Sequence, residues 1–280
     1  MGTPQASETM TTAELVDLDR YPFDDAHLVE RCRHEFITDG VCVLPGFLRA
    51  AQLPALVAEC DALAPLAHRS QVAGTPYLAP VDVHAPEGHP RRAVLRTSLE
   101  ALAYDLFPPA SLLRGLYESD ELLHFVAALL GEPVLHRYAD PFGALNLAVM
   151  RDGDELAWHF DQTDFVVSIA LQPSTAGGDF LNAKQIRTVD DERYDEVAAV
   201  LADGERSPLV RIEPMTPGTL MLFNGRRSLH RVSTVIGDVP RYVALLAYDR
   251  TPGTDSSDHL KLTRYGRLPV AAERSNTVPS

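Results

Sequence analysis

The second half of the chain consists of short apolar segments separated by turn sequences, and this pattern restricts the fold more than any other feature. Turn chemistry is clear at Asp152-Gly153-Asp154, at Gly177-Gly178 and at Pro217-Gly218. Short strands at even spacing with such turns between them predict a β-barrel or β-sandwich. The predicted strands are residues 144–150, 156–172, 179–182, 209–212, 218–223, 229–235 and 241–248.

The first half shows helical periodicity instead. It predicts helices at 24–38, 51–63 and 119–130, with a short strand at 40–45, and a further helix is inserted at 192–201. Residues 68–95 contain many Pro, Gly and His and little periodicity, which predicts a long loop, a candidate lid over a site.

Helices followed by strands, without an internal repeat or a break in composition, indicate one α+β domain. We expect a flexible N-terminal tail (1–20), a single domain at 21–270 and a C-terminal tail (271–280). Within the domain, residues 21–131 form a helical layer and residues 132–250 the β-core.

Composition narrows the functional classes. Hydrophobic residues make up 45% of the chain and charged residues 23%, as in ordinary globular proteins, and no apolar run approaches the roughly 20 residues of a membrane span. The net charge of −14 repels phosphate backbones, so nucleic acid is not an expected partner. Residues 1–12 lack the basic and apolar regions of a secretory signal, which favours a cytoplasmic protein.

Three cysteines, Cys32, Cys42 and Cys60, lie in the first quarter of the chain and form no Cys-x-x-Cys pair. We interpret them as buried or idle thiols in a reducing compartment.

The chemistry is concentrated in two predicted strands. Alternate side chains of a strand share a face, so His159 and Asp161 point together, about 7 Å apart along the strand, while Trp158 and Phe160 point into packing. His230 lies in another strand 71 residues later. Two His and one carboxylate can occupy one face of an octahedron and leave the opposite face open, which is the geometry of non-heme iron oxygenases. The set predicts a metal site.

Arg241 follows His230 by eleven residues, at the start of the next strand. A dicarboxylate that chelates iron at one end needs a cation for its far carboxylate, and Arg offers a planar fork with two donors. Each of these residues is a weak signal alone, since a lone His-x-Asp or a lone Arg is usually a surface feature. Their order and spacing make the signal specific.

The arrangement resembles the signature of the Fe(II)/2-oxoglutarate dioxygenases: His-x-Asp, a His about 70 residues later and an Arg about ten further on. The similarity is closer to oxygenases of free amino acids, a branch that includes radical halogenases of lysine-like substrates. It covers residues 130–268 well and the N-terminal helices loosely. The matching segments are residues 140–146, 158–161, 167–172, 177–180, 217–220 and 225–232.

The resemblance implies a double-stranded β-helix, or jelly roll, with the N-terminal helices packed on its major sheet. It implies Fe(II), 2-oxoglutarate and O2 as cofactors, with His159, Asp161 and His230 as metal ligands. Arg241 and Asn146 would then bind 2-oxoglutarate. Halogenases carry Gly or Ala in place of the carboxylate ligand so that chloride can bind the iron. Because Asp161 occupies that position here, hydroxylation is expected rather than chlorination.

The substrate is predicted from the strand that carries Arg241. By alternation Val243, Leu245 and Ala247 share its face, and they form either an apolar pocket for a small aliphatic amino acid or plain core. The strand face carries no acid that could pair with a lysine ammonium. Arg96 matches an arginine of the halogenase branch and is the candidate for the substrate carboxylate. The alternative is a surface residue in an arginine-rich stretch.

Other functions stay open at this point. Desaturation or ring closure, for example aziridine formation, would use the same metal triad and differ only in substrate pose. A zinc hydrolase would leave Arg241 unexplained. A cupin-like metal-binding module would more often show three His and a Glu, which the sequence lacks. A small-molecule amino acid is the expected partner, and the chain is expected to be a monomer or homodimer.

Overall fold

A computed structural model describes residues 11–270 of the protein. The helices are α1 (Thr12–Leu15), α2 (Ala26–Asp39), α3 (Leu53–Leu63), α4 (Leu112–Glu118), α5 (Asp120–Leu130), α6 (Tyr194–Asp203) and α7 (Asp258–Tyr265). None of these helices is long and apolar enough to cross a bilayer.

Fifteen strands are found among the described residues. They are β1 (Val41–Leu44), β2 (His68–Gly74), β3 (Leu95–Leu102), β4 (His136–Arg137), β5 (Leu145–Met150), β6 (Leu156–His159), β7 (Val166–Gln172), β8 (Ala176–Gly177), β9 (Phe180–Ala183), β10 (Arg211–Glu213), β11 (Leu220–Phe223), β12 (Leu229–Val232), β13 (Val235–Ile236), β14 (Arg241–Leu246) and β15 (Tyr248–Asp249).

Two antiparallel sheets form the core. The major sheet has seven strands in the order β1-β11-β7-β14-β5-β3-β2, and the minor sheet has four in the order β10-β9-β12-β6. The chain passes back and forth between the two sheets, as in a double-stranded β-helix. The predicted fold class is confirmed.

Alternation along the central strands separates the two faces of the major sheet. On β14, Tyr242, Ala244 and Leu246 pack into the large apolar cluster under the helices. Their neighbours Arg241, Val243 and Leu245 line a cavity on the inner face, and Leu246 also reaches this cavity at the end of the strand. The sheet is therefore buried on both faces, with helices outside and the cavity inside.

The N-terminal helices begin and end at the signals read from the sequence. The Asp25 side chain caps α2 by accepting from the His27 amide, and Gly40 ends that helix in the left-handed region at φ 70°. The Ser119 side chain caps α5, which Gly131 ends at φ 73°. These two helices pack against each other on the outer face of the sheet.

Several predicted boundaries are wrong. Residues 68–74, predicted as loop, form β2, which pairs with β3 at the edge of the sheet. This edge strand is exposed on nearly all its positions, so its sequence carries no apolar alternation. The predicted strand at 156–172 is two strands, because the chain leaves the minor sheet at His159 and enters the major sheet at Val166.

The division into layers also needs correction. Strands β1, β2 and β3 come from the predicted helical layer at 21–131 yet belong to the major sheet. Residues 11–20, expected in a flexible tail, include the fully packed Leu15 and Val16, and Val16 bridges to Leu48. The predicted C-terminal tail and residues 1–10 lie outside the described residues. The three cysteines are buried and free, as expected.

Candidate active site

Two histidines face each other across the strand pair β6–β12. His159 and His230 are register partners, and their ring centroids lie 4.2 Å apart. The Nδ1 atom of His159 is 2.8 Å from the Ala157 carbonyl, and that of His230 is 2.9 Å from the Ser228 carbonyl. Donation from each Nδ1–H to these carbonyls leaves the Nε2 lone pairs free to coordinate, which is the usual orientation of a metal-bound imidazole.

Asp161 follows just beyond the end of β6 and completes the triad. Its Oδ1 lies 3.4 Å from Nε2 of His159, and its Oδ2 lies 3.4 Å from Nε2 of His230. The buried Oδ2 has no hydrogen-bond donor among the described residues. Two imidazole nitrogens and a carboxylate oxygen, all within 4.8 Å of one another, form a donor set suited to a divalent metal.

The protonation states suit a metal ligand set. Burial acts to raise the pKa of Asp161, but the charge of His230 and the contacts of His159 outweigh it and hold this pKa at about 2. Burial lowers the pKa of His230 to about 4, although Asp161 acts in the opposite direction. An ionised carboxylate and a neutral imidazole are the forms that bind metal.

Gly225 provides the space for the carboxylate. The Asp161 amide donates to the Gly225 carbonyl at 3.0 Å. A Cβ at Gly225 would collide with the Asp161 carboxylate itself. This glycine is needed for close approach rather than for backbone freedom, since it does not have a positive φ.

The triad opens onto a cavity of about 270 Å³ inside the barrel, with Asp161 and His230 on its wall. Most of the lining is apolar, from strands of both sheets, with polar side chains at only a few points. Small-molecule sites typically have such a wall with a few placed polar groups.

Arg241 is the cation that the cavity buries most deeply. It is 6% exposed, and its Nη1 donates to the Met150 sulfur at 3.8 Å. Burial lowers its pKa to about 10, with Asp179 acting in the other direction, so the guanidinium stays charged at neutral pH. No carboxylate within the described residues forms an ion pair with it. A buried charge without a partner is costly, so this arrangement favours an anionic ligand.

The other predicted cavity residues lie where alternation placed them. Val243, Leu245 and Ala247 all line the cavity, and so does Asn146, the register partner of Leu245. Asn146 is 8% exposed, and its Oδ1 has no donor among the described residues. It is therefore free to contact a bound molecule.

The sequence model of the family described as HalD, Halogenase D, matches residues 23–262. The chain belongs to this family, within the Fe(II)/2-oxoglutarate oxygenases. A search of curated proteins gave no match.

Solved structures share the fold of this HalD-family chain. The carbocyclase SnoK from nogalamycin biosynthesis is 17% identical, with 97% of this chain and 98% of that chain covered and a TM-score of 0.54. A 2OG-Fe(II) oxygenase from Burkholderia pseudomallei is 15% identical, covering 81% and 92%, with a TM-score of 0.52. HygX from Streptomyces hygroscopicus, solved with nickel and 2-oxoglutarate, is 15% identical, covering 80% and 88%, with a TM-score of 0.53.

One predicted site residue of this HalD-family chain lies away from both the triad and the cavity. Arg96 is exposed on β3 and stands an odd number of residues from Leu99, whose side chain lines the cavity, so alternation turns Arg96 to the other face. The structure does not bring Arg96 together with the triad, and its role in substrate binding stays a prediction.

The candidate lid is in contact with the triad segment of this HalD-family protein. After β2, the Pro76 carbonyl accepts from the Phe160 amide at 2.8 Å, and the Tyr77 ring packs on Phe160 at 5.3 Å between centroids. Phe160 lies between the two ligands of the His-x-Asp motif. Whether this loop opens and closes stays a prediction.

Sequence reasoning missed a cation on the cavity wall of the HalD-family protein. Arg264 lines the cavity from α7, a helix that was not predicted. The helix signals are present in the sequence, because Ser257 caps the first turn and Gly266 ends the helix in the left-handed region. They predict a helix but not that it packs over β2 and β3 with one arginine on the cavity wall.

Proposed function

We propose that this protein is an iron(II)- and 2-oxoglutarate-dependent hydroxylase of a small, aliphatic, free amino acid. The observation that carries the proposal is the pairing of an open His–Asp–His donor set with a buried, unpaired arginine in the same apolar cavity. Such an arginine has no purpose in a hydrolase that needs only metal and water.

The site residues have two tasks, which are to hold the metal and to bind the co-substrate. His159, Asp161 and His230 would hold Fe(II), and the two backbone carbonyls behind the imidazoles fix their orientation. Arg241 would bind the far carboxylate of 2-oxoglutarate with its two-donor fork, and Asn146 would donate to an oxygen of the co-substrate from its side-chain amide nitrogen. Iron with 2-oxoglutarate and O2 supplies the oxidising power that removes a hydrogen atom from an unactivated C–H bond.

The protein itself positions the substrate and keeps water out of the cavity. The apolar wall, which includes Val243, Leu245 and Ala247, excludes water and holds an aliphatic side chain near the triad. Transfer of a lysine or aspartate side chain onto such a wall would leave a charge unpaired, so those substrates are disfavoured.

Asp161 separates this chain from the halogenating members that give the family its name. The carboxylate lies against both imidazoles, in the place that a halogenase leaves to a halide. We therefore propose hydroxylation, with desaturation or ring closure as the alternative that the same site could support through a different substrate pose. A cytoplasmic location and a monomeric or homodimeric state remain predictions.

The test is succinate release from the purified protein with Fe(II), ascorbate and 2-oxoglutarate, scanned across the twenty amino acids with the product mass determined. We expect valine, leucine or isoleucine to stimulate turnover and to gain one oxygen atom. Loss of two hydrogen atoms would establish the alternative outcome. Incorporation of chlorine, or turnover that survives removal of the metal, would contradict the proposal.

A further inference from the structure

Helix α7 turns one face towards the cavity that contains the triad. Leu260 and Arg264 are four residues apart, and so share a side of the helix, and both line the cavity. The helix packs on β2 and β3, and the Ser70 hydroxyl of β2 donates to the Thr263 carbonyl at 2.9 Å. Arg264 is thus presented to the cavity by an element that is held against the major sheet.

Arg264 has no ion-pair partner in the described part of the chain. The two cations nearest to it in sequence are both paired: Lys261 contacts Asp255 at 2.6 Å, and Arg267 contacts Asp105 at 2.7 Å. No described carboxylate comes within ion-pair distance of Arg264 itself. The guanidinium is therefore available to a bound anion.

The cavity wall itself offers one carboxylate. Among the described residues that line it, only Asp161 is acidic, and its oxygens lie against the two imidazoles of the triad. Burial raises the pKa of Asp161, while the two histidines and, to a smaller extent, the charge of Arg264 lower it. Arg264 is therefore close enough to act on the carboxylate of the triad, although the two form no ion pair. The described lining holds no second acid that could pair with the ammonium group of a ligand.

The charges of the occupied site would not balance without a further anion. Fe(II) and doubly charged 2-oxoglutarate cancel each other, Asp161 balances Arg241, and the imidazole ligands are neutral. The positive charge of Arg264 is then left over beside a mostly apolar wall. A ligand that places one negative charge there is favoured, because opposite charges attract strongly where little water is present.

We propose that Arg264 binds the carboxylate of the substrate, so that the cavity selects its substrate by one acid group and an apolar side chain, and not by the ammonium group. The inference rests on the proposed function and deepens it, since it says which charge of the amino acid the site recognises. A guanidinium can hold a carboxylate through two parallel bonds. An amide or a carrier-bound ester lacks that carboxylate and is expected to bind weakly. A 2-hydroxy acid of the same skeleton keeps the carboxylate and is expected to bind about as well as the amino acid.

The experiment measures binding to the wild-type protein by anaerobic calorimetry, with Fe(II) and 2-oxoglutarate bound. The twenty free L-amino acids are tested first, followed by the primary amides and the 2-hydroxy acids that correspond to valine, leucine and isoleucine. We expect each amide to bind at least about ten times more weakly than its free acid, because a contact between charged groups is lost. The 2-hydroxy acids should bind within about threefold of the amino acids, since no ion pair is lost.

Three variants assign the contact. Arg264→Gln should weaken binding of the free acid about ten- to a hundred-fold without weakening that of the amide, so that the preference for the acid disappears. Arg96→Gln is measured beside it, because Arg96 is the other arginine predicted to bind the substrate carboxylate, and it should keep the preference. Arg267→Gln is the matched control: it removes a cation three residues away that is paired with Asp105, and it should bind as the wild type does.

Several results would overturn the assignment of Arg264. They are equal binding of acid and amide by the wild type, a preference that survives in Arg264→Gln or is lost in Arg96→Gln, 2-hydroxy acids that bind as weakly as the amides, and no binding of any free acid. Thermal melts check folding, and Arg264→Lys, which keeps the charge, should retain part of the preference if the Gln variant is unstable.

The proposed function is tested separately by iron-dependent succinate formation without amino acid, because that slow reaction needs no substrate carboxylate. Its absence would remove the proposed function. Its presence, together with equal binding of acids and amides, would remove only the role of Arg264.

Discussion

The two arginines of the cavity are positioned by different parts of the fold. Arg241 stands on β14, in the middle of the seven-stranded sheet, with Tyr242 and Ala244 anchored in the cluster under the helices. Arg264 stands on the eight-residue helix α7, which packs over the edge strand β2 and its neighbour β3. One cation is fixed by the core of the barrel and the other by an element laid over its side.

This difference fits the ligand that we propose for Arg241. A co-substrate shared by a whole class of enzymes needs a constant anchor, and a central strand held on both edges supplies it. A substrate that varies between enzymes can be recognised from an appended helix, since changes there leave the sheet intact.

Loss of a metal ligand should have the largest effect because both ends of the cavity depend on it. We expect His230→Ala to abolish turnover and stoichiometric Fe(II) binding, measured by anaerobic titration. His124→Ala, which removes an exposed histidine from α5, is the control and should bind one iron per chain. Full activity of the His230 variant would remove the triad from the mechanism.

The second-largest effect is expected when a side chain is added at Gly225, which lies directly against Asp161. Gly225→Ala should displace the carboxylate and weaken Fe(II) binding about ten- to a hundred-fold, as loss of support around a ligand typically does. Gly74→Ala is the matched control, because a Cβ there meets open space. Equal iron affinity of the two variants would show that the carboxylate can move without cost.

Substitution of Arg241 tests the proposed binding of 2-oxoglutarate. Arg241→Ala should raise the apparent KM for 2-oxoglutarate about ten- to a hundred-fold, because a charged two-donor contact is lost. Arg241→Lys keeps the charge without the fork and should be intermediate. If the Arg241 variants change the KM for the amino acid and leave the KM for 2-oxoglutarate unaltered, the assignment of Arg241 to the co-substrate is wrong.

The smallest effect is expected at the apolar wall. Ala247 lies just after β14, at the end away from Arg241, so Ala247→Val should narrow the space for substrate. We expect about a tenfold loss in kcat/KM for the larger amino acids, since a methylene in a pocket is worth that much. The KM for 2-oxoglutarate should stay the same, and a change in it would assign Ala247 to the other end.

Much of the site could be read from sequence because it depends on local alternation. Arg241, Val243, Leu245 and Ala247 share a face through the two-residue period of a strand, and the cavity lining confirms it. The N-terminal caps of α2 and α5 could also be predicted from sequence. Each depends on one side chain and one backbone amide only two or three residues apart.

Other elements gave no local signal. β2 is an exposed edge strand, so its sequence does not alternate, and only pairing with β3 makes it a strand. Asp161 was expected in the same strand as His159, but the chain turns there to cross between sheets. The residues still meet, because the turn brings the carboxylate back towards both imidazoles.

The sequence by itself determined the class of fold, the His–Asp–His donor set and the arginine that the cavity buries, because these follow from residue types at fixed spacing on strands. Only the tertiary structure decided which other charges face the cavity. Arg96 and Arg264 are alike as sequence features, yet one points outward from β3 and the other lines the cavity. The direction of a side chain relative to a distant site depends on how its element packs, and that packing is set by contacts between residues far apart in the chain.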